Sequence, residues 1–249
     1  MADGSVQSIQ RAFAVLQAVA TESAGISEVA RRTDLPISTV ARLLATLEGI
    51  GAVTRHDDGV TYGVGPTMAD LAAAADPKAS LVMRVRPYLL DLVSRTSETA
   101  GISVPTGSEV LYLDHVEASH EVQVRDWTGT TLPLHVVSSG LVLLAHRTAR
   151  EIDDYISSGL VSFTERTIVS PDDLKRRLAE TRQRGVVWTR GEYNEGVTSV
   201  AAPVYDQKRS IIAAVHCHGP SYRFPLEGTE DAVASAVMTT ARRVSAVAS

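Results

Sequence analysis

Three polar residues close together on a short helix offer the first legible chemistry in this chain. Ser38, Thr39 and Arg42 share one side of a helix whose other side is the apolar stripe Val40, Leu43, Leu44 and Leu47. An arginine so placed can pair with a guanine edge through two hydrogen bonds, and the hydroxyls can reach bases or phosphate oxygens. A second candidate lies far along the chain, where His216 and His218 alternate on an apolar run. Strand periodicity puts both imidazoles on one face. There they suit a carboxylate or phenolic hydroxyl, a metal ion shared with His135, or plain structural hydrogen bonding. Cys217 between them points to the other face, away from any base that would activate a thiol. These residues predict neither catalysis nor a cofactor.

Residues 25–64 supply the elements that would hold the first group. Ser27 is placed to cap a helix, Glu28 lies by the positive end of its dipole, and Val29 and Ala30 face inward. Asp34, Leu35 and Pro36 break that helix, and Pro36 is favoured at the opening turn of the next one, from Ile37. Gly49 and Gly51 release the second helix into two short strands, 52–55 and 60–64, turned at Asp57-Asp58-Gly59. Helix, turn, helix and ribbon in that order predict a winged helix-turn-helix facing double-stranded DNA. Ahead of it, Val6, Ile9, Phe13, Leu16 and Val19 make residues 5–20 an amphipathic helix closing the same core, with Arg11 on its outer side. The expected DNA-facing set is Arg11, Ser27, Pro36, Ser38, Thr39, Arg42 and Arg55.

Composition narrows the remainder. The 249 residues, 44% hydrophobic and 21% charged, leave room for a second core beyond the small reading unit. No apolar run reaches the roughly 18 residues of a membrane span, and no basic-hydrophobic-small leader stands at the front. No membrane partner and a cytoplasmic location are expected. Cys217 is the single cysteine, which rules out an intrachain disulfide. Net charge is −5, and residues 1–75 hold five basic groups (all arginine) against eight acidic ones. Affinity for DNA must then come from a local basic face and from two copies reading one site, not from bulk attraction.

After Gly65-Pro66, Thr67 can cap a linker helix through Met68, Leu71 and Ala75, stopped by Asp76-Pro77. A longer amphipathic helix is expected over 79–99. Period-two patterns place strands at 100–104, 109–117, 120–127, 186–190, 197–205 and 211–218, and helices at 138–146, 151–157, 171–184 and 231–247. Trp127 and Trp188 are read as core residues. Hairpins with grouped helices predict an α+β domain around an antiparallel sheet. The domain plan is 1–66 for the reader, 67–78 for the linker and 79–249 for the second domain.

The first stretch resembles the N-terminal domain of the IclR family of bacterial transcriptional regulators. The matching positions are Ser8, Arg11, Ala12, Leu16 and Ala20, then Glu28 to Ala30, Leu35, Pro36, Ser38 to Val40, Arg42 to Leu44, Thr46, Leu47, Gly51 and Val53. The chain departs at Ile37 and Ala41, where many relatives carry a basic or polar residue, so no operator sequence transfers. The second part is also similar, at Leu132-Pro133-Leu134-His135 with Ser139-Gly140, at Glu195-Gly196-Val197 with Val200 to Val204, and at His218-Gly219-Pro220. The resemblance implies a GAF-like effector domain that binds a small molecule, oligomerising to a homodimer or homotetramer.

It further implies a ligand held by the amides of Val137, Ser138, Ser139 and Gly140 at a helix start, where unpaired N–H groups favour an anion. Carried over by position, Thr189, Ser199, His216 and His218 line the same pocket. Relatives that bind small oxo-acids have an aspartate, a cysteine and two serines there, and a lysine where this chain has Leu141. A different carboxylic acid, with an aromatic one open, is therefore expected. The full reading is an α+β two-domain DNA-binding regulator, repressing by default. Its rival is a metal-responsive regulator or small metalloenzyme built on His135, His216 and His218.

Overall fold

A computed structural model describes residues 6–120 and 124–248. The chain forms two compact units, Met1–Ser80 and Leu81–Ser249. The first contains α1 (Gln7–Thr21), α2 (Ile26–Thr33), α3 (Ile37–Gly49), β1 (Val53–Arg55), β2 (Tyr62–Val64) and α4 (Pro66–Ala75). Val15, Leu16 and Val19 of α1, Val29 of α2, and Val40, Leu44 and Leu47 of α3 are buried together with Tyr62. The turn between α2 and α3 works as its residues dictate. Asp34 takes the left-handed conformation at φ 53° and ends α2, and Pro36 is extended (φ −57°, ψ 139°) before α3 begins. Gly51, at φ +72°, turns the chain out of α3 into an antiparallel ribbon pairing Val53 with Val64.

Three local expectations are corrected. Ser27 does not cap α2: the helix starts one residue earlier, Gly25 is its cap position, and Ser27 lies exposed within the first turn. Thr67 caps nothing either, because Pro66 already opens α4 and the Thr67 hydroxyl donates to the Ile50 carbonyl at 2.8 Å. Val6, Ile9 and Phe13 are exposed, each at 57%. The core closes only on the C-terminal half of α1, so the apolar stripe runs on past its partners.

The second unit is a six-stranded antiparallel sheet with helices on both faces. The α5 helix (Pro77–Thr96) crosses the unit boundary; then come β3 (Thr99–Thr106), β4 (Glu109–Val116), β5 (Thr131–Pro133), a 3-10 turn (Leu134–Val136), α6 (Ser138–Ala145), α7 (Ala149–Ser157), α8 (Pro171–Arg184), β6 (Val187–Arg190), β7 (Val197–Tyr205), β8 (Ile211–Pro220) and α9 (Glu230–Val247). The strand order is β5-β4-β3-β8-β7-β6. One face buries Val85, Leu89 and Leu92 of α5 and Val237 and Val244 of α9 against Ile102, Val200 and Val215. The other buries Leu141 and Leu144 of α6 and Leu174 of α8 against Val110, Ala201 and Ala214. The strand expected over 120–127 is corrected where it is described, since His120 and 124–127 are not extended in a ladder and 121–123 lie outside the described residues. Asp126 accepts the Thr128 amide at 2.6 Å and Gly129 sits at φ +78°, so the chain turns there and the edge strand is β5 instead. Among the described residues no helix is long and apolar enough to cross a membrane.

Candidate functional site

On α3 the polar side is presented as its spacing requires. Ser38 and Arg42 are exposed and Thr39 is half-buried, opposite the core residues Val40, Leu44 and Leu47. Arg42 makes no ion pair among the described residues, which leaves its guanidinium available to a base or phosphate. Arg31, Arg32 and Arg55 differ in this respect. Arg31 and Arg32 both grip Glu28, whose carboxyl falls to about 2 because they donate hydrogen bonds to it. Arg32 also donates to the carbonyls of Ala18 at 3.1 Å and Glu22 at 3.0 Å, which pins α1 to α2. Arg55 lies over the Tyr62 ring at 4.8 Å, bonds the Tyr62 hydroxyl and stands 3.7 Å from Glu48. It is thereby part of the wing's own packing. Arg11 is half-exposed on α1 and Pro36 holds the start of α3.

The second site is a small cavity of about 40 Å³, open to solvent, between the sheet and the start of α6. Of the residues expected there, Val137, Thr189, Ser199, His216 and His218 line it. Register alternation puts both imidazoles on one face of β8, stacked with centroids 5.6 Å apart and planes 19° from parallel. Opposite His216 on β3 stands Gly101, and a Cβ there would come within 2.6 Å of the imidazole Nε2. The missing side chain is what lets the ring lie across the strand. Ser103 Oγ holds His216 Nδ1 at 3.2 Å, whereas Nε2 is buried without a partner. Burial keeps both rings neutral, pulling His218 down to about 4 and His216 well below the usual histidine range.

A chain of hydroxyls joins three elements at the cavity edge. Thr189 on β6 meets Ser199 on β7 at 3.0 Å, and Ser199 meets Ser138 on α6 at 2.5 Å. Ser138 thus reaches the site through Ser199, while Ser139 and Gly140 lie buried behind the lining. Neither serine caps α6, whose cap position is Val137. Gly140 is required by packing, since a Cβ there would sit 2.3 Å from the Leu134 carbonyl oxygen.

Several lining residues were not expected. Trp127, read as core, lines the cavity and meets Tyr193 edge-on at 5.6 Å. Tyr112, buried beside His216, has its hydroxyl pushed up to about 12 by desolvation. Its place was readable, because Val110 and Tyr112 alternate inward on β4. Glu192, Tyr193 and Asn194 lie in the loop between β6 and β7, where no period marks an inward face. Glu192 is 8% exposed, and burial raises its carboxyl to about 7 although Arg177 Nη2 stands 3.5 Å from Oε1. Its Oε2 has no partner.

The metal trio is corrected by the position of His135. Its Nδ1 is 2.7 Å from the Tyr155 hydroxyl and its Nε2 is 3.0 Å from the Val161 carbonyl, so both ring nitrogens are engaged away from β8. Among the described residues no group of three histidine, cysteine, aspartate or glutamate side chains is arranged to hold a metal. Cys217 points to the α5 side, 3.5 Å from Thr96 Oγ1, and burial pushes its thiol up to about 12.

A helix-turn-helix reader carried with a sheet domain that walls a small-molecule cavity defines a ligand-responsive transcriptional regulator. Residues 74–246 match the bacterial transcriptional regulator IclR C-terminal domain and residues 8–57 match the IclR helix-turn-helix domain. The chain belongs to the IclR family of DNA-binding transcriptional regulators. It is 30% identical over 244 residues to the HTH-type transcriptional regulator BhcR of Paracoccus denitrificans, covering 97% of this chain and 87% of that one. It is also 30% identical over 227 residues to the transcriptional repressor IclR of Escherichia coli K12, covering 89% and 83%. The fold superposes on a crystal structure from Rhodococcus sp. RHA1 with a TM-score of 0.64, at 30% identity and 97% coverage of both chains. It recurs, at 24% identity, a TM-score of 0.63 and 96% and 98% coverage, in an IclR homologue from Microbacterium hydrocarbonoxydans complexed with 4-hydroxybenzoate. These relatives are regulators of transcription and not enzymes.

Proposed function

We propose that this chain represses transcription from a specific operator and that a small carboxylic acid in the sheet cavity sets how tightly it holds that DNA. Residues 1–66 form the reader, 67–78 the linker, and 79–249 the effector and oligomerisation domain. Ser38, Thr39 and Arg42 contact bases or nearby phosphates, with Arg11, Ser27, Pro36 and Arg55 along the flanks. The acid lies against Val137, Thr189, Ser199, His216 and His218, with Ser138, Ser139 and Gly140 forming the wall behind.

The observation that carries this reading is a cavity whose buried polar groups include an imidazole nitrogen with no protein partner. Buried donors and acceptors are normally satisfied, so a bound molecule is the simplest completion. The exposed Val6 just before α1 and Ile9 and Phe13 on it support a second copy of the reader packing there, which two half-sites of an operator would need. An acid acts by preferring one arrangement of the protein over another, and one that binds both equally changes nothing.

The test is a thermal-shift screen of aliphatic and aromatic acids, 4-hydroxybenzoate included, followed by fluorescence anisotropy with DNA from the promoter beside the chain's own gene. An acid that raises the melting temperature and alters operator affinity at fixed salt is expected. No preference for that DNA over random duplex, with or without the acids, refutes the reading.

A further inference from the structure

The cavity wall sets a problem for any acid. Among the described residues that line it there is no lysine or arginine, and both histidines are neutral. A carboxylate entering such a space would meet the Glu192 carboxyl with no cation between them. Two carboxyls close together cannot both ionise, but they can share one proton in a short, strong hydrogen bond.

Resting on the proposed acid-binding function of this cavity, we infer that Glu192 reads the ligand by donating its O–H to the incoming carboxylate, so that seating the acid draws up to one proton from solution. Three features place the proton there. Glu192 lines the cavity and its Oε2 is buried with no partner, so one oxygen is uncommitted. Its ionised form is poorly supported: Arg177 of α8 reaches only Oε1, at 3.5 Å, and itself donates to the Trp188 carbonyl. Arg190, at the end of β6, supports the carboxylate through its backbone N–H and a weaker attraction of its charge, its side chain being paired with Glu230 at 2.6 Å; burial still outweighs these. The other groups at this space are Tyr112 on β4, Tyr193 on the same loop, and His216 and His218 on β8, with His115 on β4 behind them and the Arg125 guanidinium stacked on the lining Trp127 at 4.2 Å. Burial keeps the Tyr112 hydroxyl protonated and both β8 imidazoles neutral. At pH 7 a carboxyl near 7 carries its proton about half the time, whereas an imidazole near 4 does so about once in a thousand. Glu192 is therefore the readier donor.

The experiment is isothermal titration calorimetry of the full-length protein with benzoate and with pyruvate, between pH 6 and pH 8, in phosphate and in Tris, whose ionisation heats differ. Proton uptake should climb from about 0.1 per acid at pH 6 to about 0.9 at pH 8, and Kd should rise about tenfold over that span. Glu192→Gln, which keeps a donor without the titration, should bind with the same Kd at both pH values and with no buffer dependence. A wild-type Kd and enthalpy that ignore pH and buffer overturn the inference and leave acid binding standing. Uptake that survives in Glu192→Gln but vanishes in His218→Gln overturns it too, placing the proton on an imidazole. No binding of either acid at any pH, by wild type or variant, overturns the acid reading beneath it.

Discussion

Ser38 and Arg42 stand in water on α3, whereas His216 and His218 are only 2% and 5% exposed beneath the α6 start. The two regions therefore load the fold differently. A solvated arginine costs the folded state little, so the reader can be altered without loosening its core. A neutral buried imidazole with an unpartnered nitrogen works against folding, and the protein offsets this with the Ser103 contact and the open space at Gly101. Substitutions of the solvated Ser38 and Arg42 should change binding alone, and those around the cavity should change stability as well.

The largest effect expected lies behind the cavity. Gly140→Ala forces a methyl against backbone and should cost about 3 kcal/mol in urea denaturation. A neutral result would mean that the α6 start is not tightly packed and would break the contrast. Next, Arg42→Ala should weaken operator binding by about 2 kcal/mol, roughly thirtyfold, with no change in the denaturation midpoint. Loss of stability together with binding would show that α3 is not the independent reader supposed here.

A smaller effect concerns pH. His218 titrates near 4 in the fold and near 6.5 when unfolded, so the unfolded chain binds more protons between those values. Its contribution is fully present above pH 6.5 and is lost as pH falls toward 4. The loss is about 1.5 kcal/mol between pH 6.5 and pH 5, and His218→Gln should remove that much of the acid slope. The smallest is Ser27→Ala, which should shift stability by less than about 0.5 kcal/mol, against the ~1 kcal/mol of a capping residue.

The same contrast explains what could be read without coordinates. Residues of the reader lie within one short run, and their neighbours declare the geometry: Asp34 and Pro36 end one helix and begin another, and Val40, Leu44 and Leu47 fix which side of α3 is free. The strand Val197–Tyr205 was likewise legible, because its apolar residues alternate between the two cores. The cavity is assembled from β4, the turn after it, the α6 start, β6, β7, β8 and one loop, which meet only through long-range pairing. Thr189, Ser199 and the β8 histidines could be placed by strand period and resemblance. Trp127 and Glu192 could not, since each sits on irregular backbone whose direction is set by local turns such as Asp126 to Thr128. Cap positions at Ser27 and Thr67 failed for a plainer reason, as each helix began one residue or more before the hydroxyl.

One feature of β8 reaches further than the cavity. A strand is a single backbone thick, so His216 and His218 press on one space while Cys217 between them touches Thr96 in the last turn of α5. Thr96 closes a helix of 20 residues, about 30 Å long by its rise, with Pro87 inside it. One backbone's thickness is thus all that separates the polar cavity from the apolar packing under α5.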